Sequence, residues 1–376
     1  MENTLVKTRL YRIIVLAMVM TLYYHGISLG SVPPHITAES AILYDKNTGQ
    51  VLYEKNSKEE RPPASTTKVL TGILAVDMAS TDEIVKISKH SASIGEASIH
   101  LTTGEALSVH DLILGALIKS GNDASVALAE AAAGNENYFV FLMNRKAFLL
   151  GAGHTNFINP NGLHHNEHFS TAYDLAVIAD YAMDNPIFRD TVARKTAVIP
   201  ENNTTWKRYL KNTNRLLGQY PGANGVKTGT TNAAGQCLVA SAARGDRSLI
   251  VVVLKSYNRY GDTVKLLDFG FNDFKEVSIP KGTVVGRMYF PDGKPHQVDL
   301  LTTEDFNLTV NTKEILSLEK RLVVNRPKKL PVAEGKVLGN LWINLRDKEL
   351  KIPVTVKTKV ESMSIKEKLE FHLASS

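Results

Sequence analysis

The chain has 376 residues, with 44 lysines and arginines against 38 aspartates and glutamates, for a net charge of +6. This length allows more than one domain and a large core. Acids interleave with the bases, and no basic run or basic patch mixed with aromatics appears, so nucleic acid is a poor reading of the partner.

Lys7, Arg9 and Arg12 precede an apolar run over residues 13–24, and Ser28-Leu29-Gly30 then offers a small-x-small site. Residues 1–30 therefore read as a secretory signal peptide, with an uncleaved membrane anchor as the competing reading; the run is short of a full span. Either way the rest is expected outside the cytoplasm: at the outer face of the cytoplasmic membrane, in the cell wall or in the periplasm. Cys237 is the only cysteine, so no intramolecular disulfide can staple the fold and stability must come from packing.

Alternating segments at 40–44 and 50–53 flank Asp45-Lys46-Asn47-Thr48-Gly49, which predicts a β-hairpin. Pro62-Pro63-Ala64 leads into Ser65, and Val69, Leu70, Ile73, Leu74 and Met78 follow at helical spacing, so Ser65 should open a buried helix. Helical patterns continue over 109–118, 124–133 and 138–150. Asn159-Pro160-Asn161-Gly162-Leu163 marks a loop before another helix over 171–183. Residues 225–230, 236–242 and 248–255 are β-rich. The continuous apolar run at 250–254 suits a strand covered on both faces by helices.

From residue 276 the pattern shifts to short alternating segments punctuated by Gly and Pro. The expected architecture is an α/β (α+β) catalytic domain over 31–275, an antiparallel sheet flanked by helices with a helical subdomain, followed by a small all-β domain over 276–360. The tail, 361–376, carries Ile365, Leu369 and Leu373 at i+4 steps. It reads as a short amphipathic helix, docked or frayed, with peripheral membrane contact as the alternative.

Three short strings carry the chemistry: Ser65-Thr66-Thr67-Lys68, Ser120-Gly121-Asn122 and Lys227-Thr228-Gly229. Singly they are weak. S-x-x-K recurs at Ser278 to Lys281, with Pro280 inside it, and at Ser317 to Lys320 in a charged stretch; S-x-N recurs at Ser256 to Asn258. On a helix, however, Ser65 and Lys68 share a face one turn apart, so the lysine nitrogen can approach the hydroxyl. A serine hydroxyl needs such a base and a place for the oxyanion. Burial and a second cation, Lys227, would hold Lys68 neutral part of the time. Ser120 can relay a proton to the leaving amine, Asn122 can hold Lys68 or a substrate carbonyl, and Gly121 is expected to permit the turn between helices. The plain alternative for this string is a helix stop and N-cap.

Alternation along a strand sends Lys227 and Gly229 to one face and Thr228 to the other, so a bend or bulge is expected there. The strand would guide an extended substrate, with the backbone amides of Ser65 and Thr230 as oxyanion donors. His164, His165 and His168 have metal-compatible spacing but no acidic partner set in place, and a solvated loop is the simpler reading. No metal and no cofactor is expected.

In this order, the three strings resemble those of the penicillin-binding proteins and serine β-lactamases. Together with Ser120 to Ala124, Ala127 to Glu130, Asn159 to Leu163, Ser170 to Ala172 and Gly225 to Gly229, they resemble the low-molecular-weight D-alanyl-D-alanine carboxypeptidases. The resemblance spans about 40–274, and the β module behind it is also similar. It implies that Ser65 attacks the penultimate D-alanine carbonyl of a peptidoglycan stem pentapeptide, that the terminal D-alanine leaves, that water frees the acyl-enzyme, and that penicillins acylate the same serine. It also implies that Thr228 and Arg259 hold the terminal carboxylate, against the alternative of a solvated loop arginine.

Many such proteins carry His after K-T-G where this chain has Thr230, which leaves the role of that side chain open but not that of its backbone. A class A β-lactamase would need a glutamate between the second and third strings, and Glu167 lacks the expected neighbours. A catalytically silent wall-binding or penicillin-sensing protein is the third alternative.

Overall fold

The computed structural model describes residues 32–201, 207–346 and 348–368. The expected signal peptide lies outside the described residues, as do Leu369 and Leu373 of the tail. The chain divides into two compact units, Pro33–Asn272 and a second formed mainly by Asp273–Ser376.

In the first unit the expected hairpin is β1 (Ser40–Asp45) with β2 (Gln50–Lys55). A short 3-10 turn, Ala64–Thr67, runs into α1 (Lys68–Met78). Two short strands, β3 (Ile84–Lys86) and β4 (Ala106–Ser108), pair around the four-residue α2 (Lys89–Ala92). The helical middle is α3 (Val109–Leu114), α4 (Asn122–Ala133) and α5 (Glu136–Leu149), followed by α6 (Ala172–Asp184) and α7 (Pro186–Ala193).

The starts of these helices are written locally. Ser108, Asn135, Thr171 and Asn185 each accept a first-turn backbone N–H, and Pro186 occupies the first turn of α7, where its missing donor costs nothing. Next come the hairpin β5 (Thr196–Pro200) and β6 (Lys207–Lys211), then β7 (Ala223–Thr231), β8 (Gly235–Arg244), β9 (Arg247–Ser256) and α8 (Arg259–Asp273). Sequence reading missed α7, the β5–β6 hairpin and most of α8, all short or weakly apolar segments.

The main sheet has the order β2-β1-β9-β8-β7 with antiparallel pairing throughout, so β7 is an edge strand. The apolar run of β9 is covered on both faces, as its composition requires. Ile42, Ile250 and Val252 join one cluster with Val69, Leu70 and Ile73 of α1 and Leu175 and Ile178 of α6. On the opposite face, a Cβ on Gly270 of α8 would lie 2.6 Å from Leu249 and 3.0 Å from Leu43, so glycine lets this helix press onto the sheet. Each fully buried aliphatic side chain here contributes roughly 1.5–3 kcal/mol. Among the bulkiest fully buried side chains, however, are two lysines, Lys68 and Lys227.

Among the described residues the second unit is all-β apart from a helical turn at 365–368 and α9 (Thr312–Ser317), which opens on a capping box between Asn311 and Glu314. β10 (Phe274–Ile279) is followed by β11 (Val284–Tyr289), β12 (Gly293–Lys294), β13 (Gln297–Thr302), β14 (Phe306–Asn311), β15 (Glu319–Val324), β16 (Val337–Leu345), β17 (Lys348–Val356) and β18 (Glu361–Ser362). Its five-stranded sheet runs β11-β13-β17-β16-β15 over a core that includes Leu300, Ile343, Ile352 and Val354.

The recurring strings are structural. Ser278 lies within β10, Ser317 ends α9 while Lys320 lies in β15, and the Ser256 hydroxyl donates to Asp262 at 2.6 Å.

Candidate active site

Ser65 sits in the 3-10 turn and not, as its apolar sequel suggests, in the first turn of an α-helix. The backbone accounts for the difference. Ala64 is held in the left-handed region at φ 49°, and the hydroxyls of Thr66 and Thr67 donate to the carbonyls of Pro63 (2.6 Å) and Ala64 (2.8 Å), tightening the turn. From across the site Gly162, at φ +84°, packs so closely that a Cβ there would lie 2.0 Å from the Ala64 oxygen. Ser65 stays partly exposed while Lys68, one turn on, is wholly buried.

Lys68 Nζ has three oxygen neighbours: Ser65 Oγ at 3.0 Å, Asn122 Oδ1 at 2.8 Å and the main-chain oxygen of Asn161 at 2.5 Å. The Asn122 amide is oriented by its own N–H donation to the Gly95 carbonyl at 3.1 Å, which leaves Oδ1 facing the lysine. Burial pushes the Lys68 amine well below the ordinary lysine range, and the charge of Lys227 pushes it further; Asp123 and Glu96 pull the other way.

The neutral amine has two N–H bonds and one lone pair. The carbonyl oxygens of Asn122 and Asn161 can only accept, so they take the two N–H bonds. The lone pair is left for the one neighbour able to donate, the Ser65 hydroxyl. That is the arrangement a general base requires.

Ser120 follows a π-helical turn, Gly115–Lys119, and is itself left-handed at φ 70°. The turn between helices is therefore made by the serine and not by Gly121, whose φ is −59°. Gly121 answers a different need, because a Cβ there would lie 2.9 Å from Asp123 Oδ1 and 3.1 Å from Ile99. Asp123 binds the 98–101 loop through Ser98 Oγ (2.6 Å) and the N–H groups of Ile99 and Leu101. Ser120 is 7% exposed and Asn122 is 3% exposed.

Strand β7 needs no bend at Lys227 to Gly229. Its pairing with β8 is regular there, Lys227 with Val239, Thr228 with Leu238 and Gly229 with Cys237, and the register shift falls upstream between Ala223 and Gly225. Alternation already serves the site. Lys227 turns inward, fully buried, while Gly229 on the same face lies against the nucleophile turn, where a Cβ would be 3.0 Å from both Pro63 O and Ser65 N. Burial and the nearby Arg259 lower the Lys227 amine to about 7. On the other face, Thr228 Oγ1 meets Thr213 Oγ1 at 2.7 Å.

Arg259 is no solvated loop residue. It opens α8, and its guanidinium donates to Gly229 O (2.8 Å), Cys237 O (3.0 Å), Thr230 Oγ1 (2.7 Å) and, through Nε, Gln236 Oε1 (3.3 Å). Thr230 in turn donates to Gly229 O at 2.8 Å. This cation therefore braces the backbone of the edge strand.

Sequence reading gave no role to the Asn161 carbonyl, to the Gly162 contact or to Thr213. The string Asn159 to Leu163 signalled the first two, and nothing in the sequence signalled Thr213. Of the three histidines, His164 and His165 are exposed, whereas His168 is buried against Thr67. Glu167, the nearest analogue of a lactamase base, is exposed, and the oxygen that faces Lys68 from this loop is a main-chain carbonyl.

A buried lysine with a lowered amine pKa, 3.0 Å from a partly exposed serine and beside the edge strand of an antiparallel sheet, is an arrangement that suits serine acyl transfer. Comparison with known proteins narrows that class. A family model described as D-alanyl-D-alanine carboxypeptidase matches residues 29–258, and one described as penicillin-binding protein 5, C-terminal domain, matches residues 274–362. D-alanyl-D-alanine carboxypeptidase DacF of Bacillus subtilis is 37% identical over 317 residues, 81% of this chain and 80% of that protein. DacC of Escherichia coli is 33% identical over 87% of this chain and 85% of its own.

Among solved structures, the D-alanyl-D-alanine carboxypeptidase DacD from Francisella tularensis superposes with a TM-score of 0.75 at 27% identity, covering 91% of this chain and all of that one. Penicillin binding protein 5 from Haemophilus influenzae gives 0.74 at 29%, covering 89% of this chain and all of its own. The chain belongs to the D-alanyl-D-alanine carboxypeptidase family, as a low-molecular-weight penicillin-binding protein of the serine hydrolase type.

Proposed function

We propose that this enzyme removes the terminal D-alanine from peptidoglycan stem pentapeptides through an acyl-enzyme on Ser65. The observation that carries the reading is the Lys68 amine, buried, with its pKa pushed well below the lysine range and its nitrogen 3.0 Å from Ser65 Oγ; in its neutral form it directs its lone pair at that hydroxyl.

Lys68 takes the hydroxyl proton as Oγ attacks the penultimate D-alanine carbonyl, and the N–H groups of Ser65 and Thr230 serve the oxyanion. The proton passes through Ser120 to the departing nitrogen, so the terminal D-alanine leaves as a neutral amine. Water then attacks the ester, Lys68 again takes a proton, and Ser65 is restored. Thr228 and the remaining Arg259 N–H hold the terminal carboxylate, while Asn122, Lys227 and Gly229 bind along the edge strand. A β-lactam ring supplies an equivalent carbonyl and, as its C–N bond opens, acylates the same Ser65 oxygen.

The N-terminal apolar run fits export to the outer face of the cytoplasmic membrane, the wall or the periplasm. The tail with Ile365 fits peripheral membrane contact.

The test is one incubation of the mature chain with a fluorescent penicillin and one with a D-Ala-D-Ala peptide. Stable labelling with D-alanine release is expected, and both should be lost in Ser65→Ala. Labelling that survives in Ser65→Ala would remove the nucleophile. Rapid loss of label with penicillin hydrolysis would mark a β-lactamase, and labelling without peptide turnover would mark a silent penicillin-binding protein.

A further inference from the structure

His168 is a buried titratable group that the acyl-transfer chemistry does not use. It is 2% exposed, and both ring nitrogens have partners. Nδ1 accepts the backbone N–H of Ile158 at 3.0 Å, so the ring proton must sit on Nε2. Nε2 lies 2.8 Å from Thr67 Oγ1, whose own hydrogen is directed at Ala64 O, 2.8 Å away.

The chain of donors can run in one direction only: from Ile158 N–H to Nδ1, from Nε2–H to Thr67, and from the Thr67 hydroxyl to Ala64. Its last acceptor belongs to the left-handed residue immediately before Ser65, and Thr67 immediately precedes Lys68. The two residues whose 3.0 Å contact matters most are therefore bracketed by the acceptor and the relay of one hydrogen-bond chain.

We infer that His168 is a positioning residue for acylation: as the neutral Nε2–H tautomer it locks the Ala64–Thr67 turn and so sets the approach of Ser65 Oγ to Lys68 Nζ. This rests on the reading of Ser65 as nucleophile. The surroundings favour the neutral ring. Phe157 lies against it, with ring centroids 5.5 Å apart, and the charges that reach it are His165 and His164 from its own loop and Lys68 from α1. A proton on Nδ1 would also oppose the Ile158 N–H. Burial first, then the protonated forms of those neighbours, push the ring down to about 4, so the chain of bonds persists through neutral pH.

The experiment measures the saturating acylation rate and the non-covalent dissociation constant of a fluorescent penicillin in wild type and three variants, with thermal unfolding alongside. His168→Phe fills the space without the bonds, His168→Gln offers one donor and one acceptor, and Thr67→Val removes the relay.

His168→Phe and Thr67→Val should each slow acylation about 10- to 100-fold with little change in dissociation constant, the scale expected of a misplaced nucleophile. His168→Gln should recover most of the rate, and His168→Phe with Thr67→Val should be no slower than either alone. A normal rate in folded Phe or Val variants, whatever their melting temperature, would overturn the inference; if the Phe variant does not fold, the Val variant decides it. Failure of the wild type to label would instead remove the nucleophile reading itself.

Discussion

A lysine ammonium with no solvent contact carries a desolvation penalty of several kcal/mol, and among the described residues no carboxylate pairs with Lys68 to offset it. Burial accordingly pushes the amine well below the lysine range, toward the neutral form that a base requires. Lys227 works in the same direction on Lys68, and Arg259 works so on Lys227, giving a short file of cations that each lower the next amine.

Replacing Lys227 by Met removes the last charge in that file. The acid limb of the acylation rate should then move to higher pH, which a pH profile of penicillin labelling measures; an unmoved limb would mean that Lys227 does not tune the base. The same variant has a signature in stability. Lys227 titrates near 7 in the folded chain and near 10.4 when unfolded, so as pH falls the unfolded chain takes up the proton first. Its contribution to stability therefore shrinks from about pH 10.4 down to about pH 7, and the Met variant should lose that part of the pH dependence of unfolding.

Among elements, the site is an agreement between one turn, one loop and one strand. The turn at Ala64–Thr67 is left-handed at a residue that is not glycine, and it holds because Gly162 comes in against its carbonyl and Gly229 against its amide. Gly162→Ala would put a Cβ 2.0 Å from Ala64 O at a φ of +84°, adding about 1–2 kcal/mol of backbone strain to a clash that forces the loop away. Since that loop also carries the Asn161 carbonyl, acylation should fall about 100-fold, with lowered unfolding temperature; near-normal labelling would show that the Asn161 contact is dispensable.

This element scale is where sequence legibility divides. Ser65, Lys68, Asn122 and Lys227 could be read because helical spacing and strand alternation are local rules. The left-handed Ser120, the 3-10 turn and the role of Gly121 could not, because each is decided by what packs against it: Gly162, Ile99 and Asp123. Thr213 reaches Thr228 only because β6 leads toward the edge strand, a long-range fact with no trace in composition. Among the histidines, the solvated loop expected from sequence fails at His168, which is buried and donates to Thr67.

At the scale of the whole molecule, a chain with one cysteine relies on packing and internal hydrogen bonds. Cys237 is itself buried in β8, beside the edge strand, its thiol pushed up to about 11 by burial and so inert as a nucleophile. In the proposed mechanism the reactive capacity is concentrated in one serine, and its activation depends on one amine.

The most direct test is therefore Lys68→Arg, which keeps a cation on the helix but cannot present a lone pair, since guanidinium does not deprotonate in proteins. The second-order rate constant for acylation by a fluorescent penicillin is measured at neutral pH against wild type, with folding checked by circular dichroism. Loss of the general base predicts a fall of about 100- to 10,000-fold in a folded variant. A folded Lys68→Arg chain that acylates within about twofold of wild type would contradict the account, because charge and not proton transfer would then be what Lys68 supplies.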